Sequence, residues 1–315
     1  MAFGVGLAVL AQLHGTASAA PASVTLPGNR TFPESITSTA DGTLYVGSFA
    51  EGGVLRVRPG ASQAEPWIEP GAFDSRSVLG VLADERSGTL WVCSNDLSAR
   101  GIPGPGSAKG SALIGFDLKT GAGKLRAPFA GDHTFCNDAA IGPDGAVYVT
   151  NTAAPQILKL RPGGTQLEIW STDLLFQPPA QGGGLDGIAF GSDGNLYVDT
   201  FTPGEFFRVE VKDGTAGKVT KLQTSRQLVL ADALRPLGGN RFLTIEGGGR
   251  LDQVTVTGDT ASIETLRDGF GRPTGVTQVG QSAWVAEGQL DHVADPAGKG
   301  PTLPFRVYEV PLLGH

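Results

Sequence analysis

At 315 residues the chain is long enough for two average domains or one repeat array, and its 47 glycines, about twice the usual share, leave little room for long helices. Hydrophobic residues at 40% against 17% charged exclude a disordered or coiled-coil chain. A net charge of -7 with no Lys/Arg run excludes nucleic acid as the natural partner, because the field repels phosphate.

The chain opens with an apolar run from Phe3 to Leu13, followed by the small-residue pattern Ala17-Ser18-Ala19, which reads as a signal peptide over residues 1–22. No Lys or Arg precedes the run, so the reading leaves room for a start further upstream. The run is too short to cross a bilayer and no later segment is apolar for long enough. Residues 23–315 are therefore expected as one secreted or periplasmic domain without membrane insertion, acting as a monomer on a small molecule.

Six times along the chain a Gly-containing turn precedes an aromatic residue in a strand-like triplet: ADGTLYVGS, RSGTLWVCS, PDGAVYVTN, SDGNLYVDT, LGGNRFLTI and QVGQSAWVA. The aromatics are Tyr45, Trp91, Tyr148, Tyr197, Phe242 and Trp284, at the spacing of propeller blades. Each turn predicts a hairpin between an inner and a second strand, and alternating segments after Val54, Ala112, Gln156 and Phe206 supply third strands. The expected fold is all-β, a six-bladed β-propeller of four-stranded antiparallel blades around a central channel. PFRVYEVPL and SVTLPG, at the two ends, close the last blade as a latch. A seven-bladed ring lacks its seventh copy, and the units are too long for β-helix coils.

In such a ring the residue opening each inner strand lies at one rim. About eleven positions before each aromatic stand Glu34, Gly80, Asn137, Asp186 and Pro273, with Asp232 in blade five after allowance for a shorter turn. Rotation brings equivalent positions together on the axis, so three carboxylates and an amide meet there. Like charges at that range cost kilocalories or force protonation, and a hard cation removes the cost. Calcium accepts irregular oxygen cages, whereas zinc would call for Cys or His. The alternative is that these side chains cap turns or hold channel waters.

PESI, CNDAAIGPDG, LDGIAFGSDG and LADAL resemble the ligand-bearing segments of the gluconolactonase/regucalcin family and its relatives, the paraoxonases and squid-type diisopropylfluorophosphatase. The resemblance implies a six-bladed fold from about Pro33 onward and a catalytic calcium held by Glu34, Asn137, Asp186 and Asp232. Asp186 stands where relatives usually carry Asn, and the blade-two position is Gly80. The activity implied is hydrolysis of a lactone, ester or related small molecule, the metal polarising the substrate oxygen. The rival is a non-catalytic, metal-stabilised propeller binding a ligand or protein, and a condensing enzyme like the strictosidine-synthase relatives is a third option.

A base is then required. His133 and His292 belong to segments expected at the same rim, and Asp138, next to Asn137, is the third candidate. Asp199, Glu246 and Glu287 end second strands near that face and read as solvated. Cys93 and Cys136 are the whole thiol inventory and are expected to bridge adjacent blades in an oxidising compartment. Neither a phosphate-binding Gly loop nor a Ser nucleophile elbow is present.

Overall fold

The computed structural model describes Met1, residues 22–294 and residues 298–312. The leader expected over residues 1–22 lies almost wholly outside them. Among the described residues the strands form six sheets, each wound outward from an inner strand. The inner strands are Pro33–Ser38, Ser77–Asp84, Cys136–Ile141, Leu185–Phe190, Ala231–Gly238 and Pro273–Val279. The predicted latch is present: Ser23–Thr25 is the outermost strand of blade six and pairs antiparallel with Arg306–Pro311, Val24 opposite Val307. Blade five departs from the pattern, because Gln223–Thr224 adds a fifth strand parallel to Thr260–Arg267.

Local chemistry explains the hairpins. In PDG and SDG the glycine takes a left-handed conformation, φ 78° at both Gly145 and Gly194, which a Cβ would penalise. The preceding aspartates accept hydrogen bonds from the tyrosines four residues on: Tyr148 Oη lies 3.1 Å from Asp144 Oδ2 and Tyr197 Oη 2.8 Å from Asp193 Oδ2. The rings themselves pack between blades, with centroids 5.0 Å apart for Tyr148 and Phe190 and 4.8 Å for Tyr197 and Phe242. Tyr148 and Tyr197 thus serve architecture, fastening blade three to blade four and blade four to blade five.

Every inner strand carries a β-bulge near its start. The register skips between Pro33 and Ile36, Val78 and Val81, Cys136 and Ala139, Leu185 and Ile188, Ala231 and Leu234, and Pro273 and Gly275. A bulge breaks strict alternation and lets consecutive residues turn toward the axis, which is why Asn137 and Asp138 both serve it. This register corrects two positions counted from the aromatics. The equivalent of Glu34 is Leu79 in blade two and Thr274 in blade six, because those hairpins are one residue longer and one shorter than that of blade one. Gly80 has a packing role instead: a Cβ there would stand 2.2 Å from the Asn137 carbonyl oxygen.

Cys93 and Cys136 are disulfide-bonded, Cα atoms 5.2 Å apart. The bridge joins the second strand of blade two to the inner strand of blade three. Asn95 doubles the joint, accepting from the Cys136 N–H at 2.9 Å and donating to its carbonyl at 2.8 Å. Both contacts hold the residue before Asn137. The C93S/C136S variant is expected to lose about 4 kcal/mol of unfolding free energy, the chain-entropy value for a loop of this length, in urea denaturation; an unchanged midpoint would contradict the bridge's structural role.

Candidate functional site

The bulge residues of blades one, three, four and five converge as the sequence led one to expect. Glu34, Asn137, Asp186 and Asp232 line one cavity of about 530 Å³ at the mouth of the channel, together with Leu79. All four are nearly wholly buried. Asn137 Nδ2 donates to Asp186 Oδ2 at 2.9 Å and to Thr152 Oγ1 at 3.0 Å, and Thr152 in turn donates to the Leu185 carbonyl at 2.6 Å. Asp232 Oδ1 accepts from the Ala233 N–H at 2.9 Å. Asp186 Oδ1 is buried without a hydrogen-bond partner.

Just below, Arg235 reaches across the axis from blade five to Asp138 in blade three. Its Nη1 and Nη2 donate to Asp138 Oδ2 and Oδ1 at 2.6 and 3.0 Å, a buried bidentate pair. Asp138 is therefore engaged as a counter-ion. Asp199 is fully buried, in contrast to the solvated position expected for it; Oδ1 accepts from the Gly187 N–H at 2.8 Å and Oδ2 has no partner. Glu246 is also buried, its carboxylate paired with Arg226 at 2.6 Å. Both residues sit beside the bulges, so the second strand faces inward there.

Five carboxyl groups, Glu34, Asp138, Asp186, Asp199 and Asp232, thus interact around one guanidinium, and full ionisation would leave an excess of four negative charges, five less one. Burial pushes the Glu34 carboxyl well above its usual range, with Asp138 adding and Arg235 opposing. Burial does the same at Asp186, reinforced by Asp199 and Glu34, and at Asp232, reinforced by Asp186 and Glu34. Asp199 is raised by burial against its hydrogen bond from Gly187. Protons or a cation must fill this deficit.

The donor chemistry fits a hard cation: carboxylates and an amide, with no sulfur or imidazole. Yet among the described residues no three His, Cys, Asp or Glu side chains form a ready-made cluster. The carboxylates share a cavity wall without closing into a cage. Neither candidate histidine lines that cavity. His133 is exposed, its carbonyl accepting from Asn151 Nδ2, and His292 lies beside Asn29 and Arg30 in a separate depression, 3.9 Å from Asp291.

Sequence reasoning missed Arg235 and the upper cavity wall. A lone arginine in the apolar strand ADALRPLG was the available signal for the first. The wall comes from loops: Arg100, Phe135, Pro178, Phe201 and Leu290 approach from four blades. The glycine run at 182–184 is threaded tightly under them, a Cβ on Gly182 or Gly184 coming within 2.8 Å of Thr202 Oγ1 or 2.6 Å of the Thr152 carbonyl.

The fold and this axial cavity define a six-bladed β-propeller with a buried acidic centre. No protein-family model and no curated protein matches the sequence, whereas many solved structures match the fold. The Malassezia sympodialis allergen Mala s 1 superposes with TM-score 0.68 at 15% identity, over 92% of this chain and 96% of its own. A presumed gluconolactonase gives 0.66 at 14%, over 93% of both chains. A gluconolactonase from Xanthomonas campestris, described as important in glucose secondary metabolism, gives 0.63 at 19%, over 94% and 93%. At these identities the likeness establishes the propeller fold, and the two gluconolactonases agree with the resemblance read from the ligand segments.

The raised carboxyls set a pH dependence. Each binds its proton more tightly in the folded than in the unfolded chain, where ordinary values of 3.8 for Asp and 4.5 for Glu apply. Stability therefore falls as pH rises above those values, and Asp252, pushed up to about 7 chiefly by burial, acts in the same direction. The lowered carboxylates, half-buried Asp96 at about 2 among them, contribute fully from about pH 5 upward and do not mask the effect. In chelator the melting temperature should fall between about pH 5 and 8; a rise across that interval would contradict the assignment.

Proposed function

We propose that the protein is a calcium-dependent hydrolase of a lactone or related ester, with Glu34, Asn137, Asp186 and Asp232 holding the ion. The observation that carries this reading is the convergence of three raised carboxyls and one amide on a single substrate-sized cavity. When bound, calcium would supply Lewis-acid polarisation of the substrate carbonyl. Because the four side chains form no ready-made cluster, they would draw inward around it.

The remaining work falls to the chain. Thr152 anchors the Asn137 amide, leaving its carbonyl oxygen for the ion. Asp138 fixes the Arg235 guanidinium beneath the floor, where its positive charge opposes the raising of the Glu34 carboxyl. Asp186 puts a carboxylate where relatives carry an amide, and its unpartnered Oδ1 is the acceptor for a proton from the attacking water. Water oxygen bonds to the acyl carbon, the acyl C–O bond of the ring breaks, Asp186 returns the proton to the departing ring oxygen, and a hydroxy acid leaves. Export to the periplasm or beyond suits the disulfide, which belongs to an oxidising compartment, and among the described residues no helix is long and apolar enough to cross a membrane.

A non-catalytic, calcium-stiffened binding propeller is the second reading, favoured by the absence of both histidines from the cavity wall. A lactone panel assayed with chelator and with added calcium separates the two: the hydrolase loses turnover on chelation and regains it, whereas the binding module shows only a shift in melting temperature. Asp186→Asn should keep the calcium-dependent melting shift while turnover drops about a hundredfold or more. Glu34→Gln should lose both, and full turnover in either variant would overturn the assignment.

A further inference from the structure

The cavity is chemically two-ended. Its floor holds the axial carboxylates and Leu79, while its upper wall is built from Phe49, Phe135, Pro178, Phe201 and Leu290. Among the described residues, two polar side chains line it away from the floor, Thr152 and Arg100. The Thr152 hydroxyl is already committed, accepting from Asn137 and donating to the Leu185 carbonyl. A polyhydroxylated sugar lactone would therefore leave most of its hydroxyls buried without partners, at the desolvation cost of each.

Arg100 differs from Arg235, the buried guanidinium below the floor. It closes the short 3-10 turn Ser98–Arg100, is exposed, and its guanidinium lies over the Phe135 ring at 5.0 Å. Among the described residues no carboxylate forms an ion pair with it. An aromatic face orients such a guanidinium without neutralising it, so its donors remain available for a planar anion. The negative floor and the positive mouth then act together: an anionic group is repelled from one end and held at the other, and the neutral end of the molecule is directed to the floor.

We propose that the substrate is an apolar lactone or ester bearing a carboxylate at the end remote from the reacting carbonyl, recognised by Arg100 stacked on Phe135. The proposal rests on the hydrolase reading for the reacting end, and its test is a binding measurement that does not need turnover. Three δ-lactams serve as non-hydrolysable probes in calorimetric titrations of the full chain with calcium present: one with a six-carbon chain ending in carboxylate, one with the same chain ending in methyl, and the lactam analogue of gluconolactone.

The carboxylate probe should bind at least about tenfold tighter than the methyl probe, and the gluconolactone analogue weakest of the three. Arg100→Gln should erase the preference for carboxylate and leave the methyl probe's affinity unchanged, while Arg100→Lys restores part of it. Equal affinity of the two chain-bearing probes, tightest binding of the sugar analogue, binding of none, or an equal loss of both probes in Arg100→Gln would each overturn the proposal. Selective binding with no turnover of the matching lactones would sink hydrolysis alone and leave this recognition standing.

Discussion

Electrostatic repulsion among carboxyl groups on the propeller axis is the constraint around which the rest of the molecule is arranged. Six-fold repetition brings the starts of the inner strands together, and the bulge in each lets two neighbouring residues face inward. Most propellers could fill that space with apolar side chains. Here Glu34, Asp138, Asp186, Asp199 and Asp232 meet around Arg235, so full ionisation of the axis would build up charge that stiff neighbouring strands prevent from dispersing.

The packing around the axis reads as the means of holding that charge in place. Gly80 and Gly187 let adjacent inner strands approach until a Cβ would lie 2.2 Å from the Asn137 carbonyl and 2.5 Å from that of Asp232. The Cys93–Cys136 bridge and the Asn95 side chain fix the strand that bears Asn137 and Asp138. Interblade aromatics such as Tyr148 and Tyr197 complete the frame farther out. A site with this much repulsion needs a rigid support, since any slack would let the carboxylates turn away to solvent.

Much of the architecture was legible because it is repetitive. The Gly-containing turns and the spacing of the aromatics follow from local rules applied six times, and the two terminal latch strands from the need to close the ring. The convergence of Glu34, Asn137, Asp186 and Asp232 followed from symmetry, and only the assignments Gly80 and Pro273 slipped, by one residue, where hairpin length varies. Side chains whose role depends on tertiary reach were not legible. Arg235 crosses the axis to Asp138, Asp199 is buried by a neighbouring bulge, and Arg100 rests on Phe135 from a loop of another blade. His133 and His292 share a rim in sequence terms, yet loop paths carry both away from the cavity. No period in the chain encodes such paths.

The account turns on whether the axial charge is balanced by protons that a cation replaces. Calcium titrated calorimetrically at pH 6.5 into chelated protein, in buffers of different ionisation enthalpy, reads both the affinity and the protons exchanged. One calcium bound per chain with net proton release is the predicted result. Absence of binding at millimolar calcium, or binding with no protons released, would contradict it.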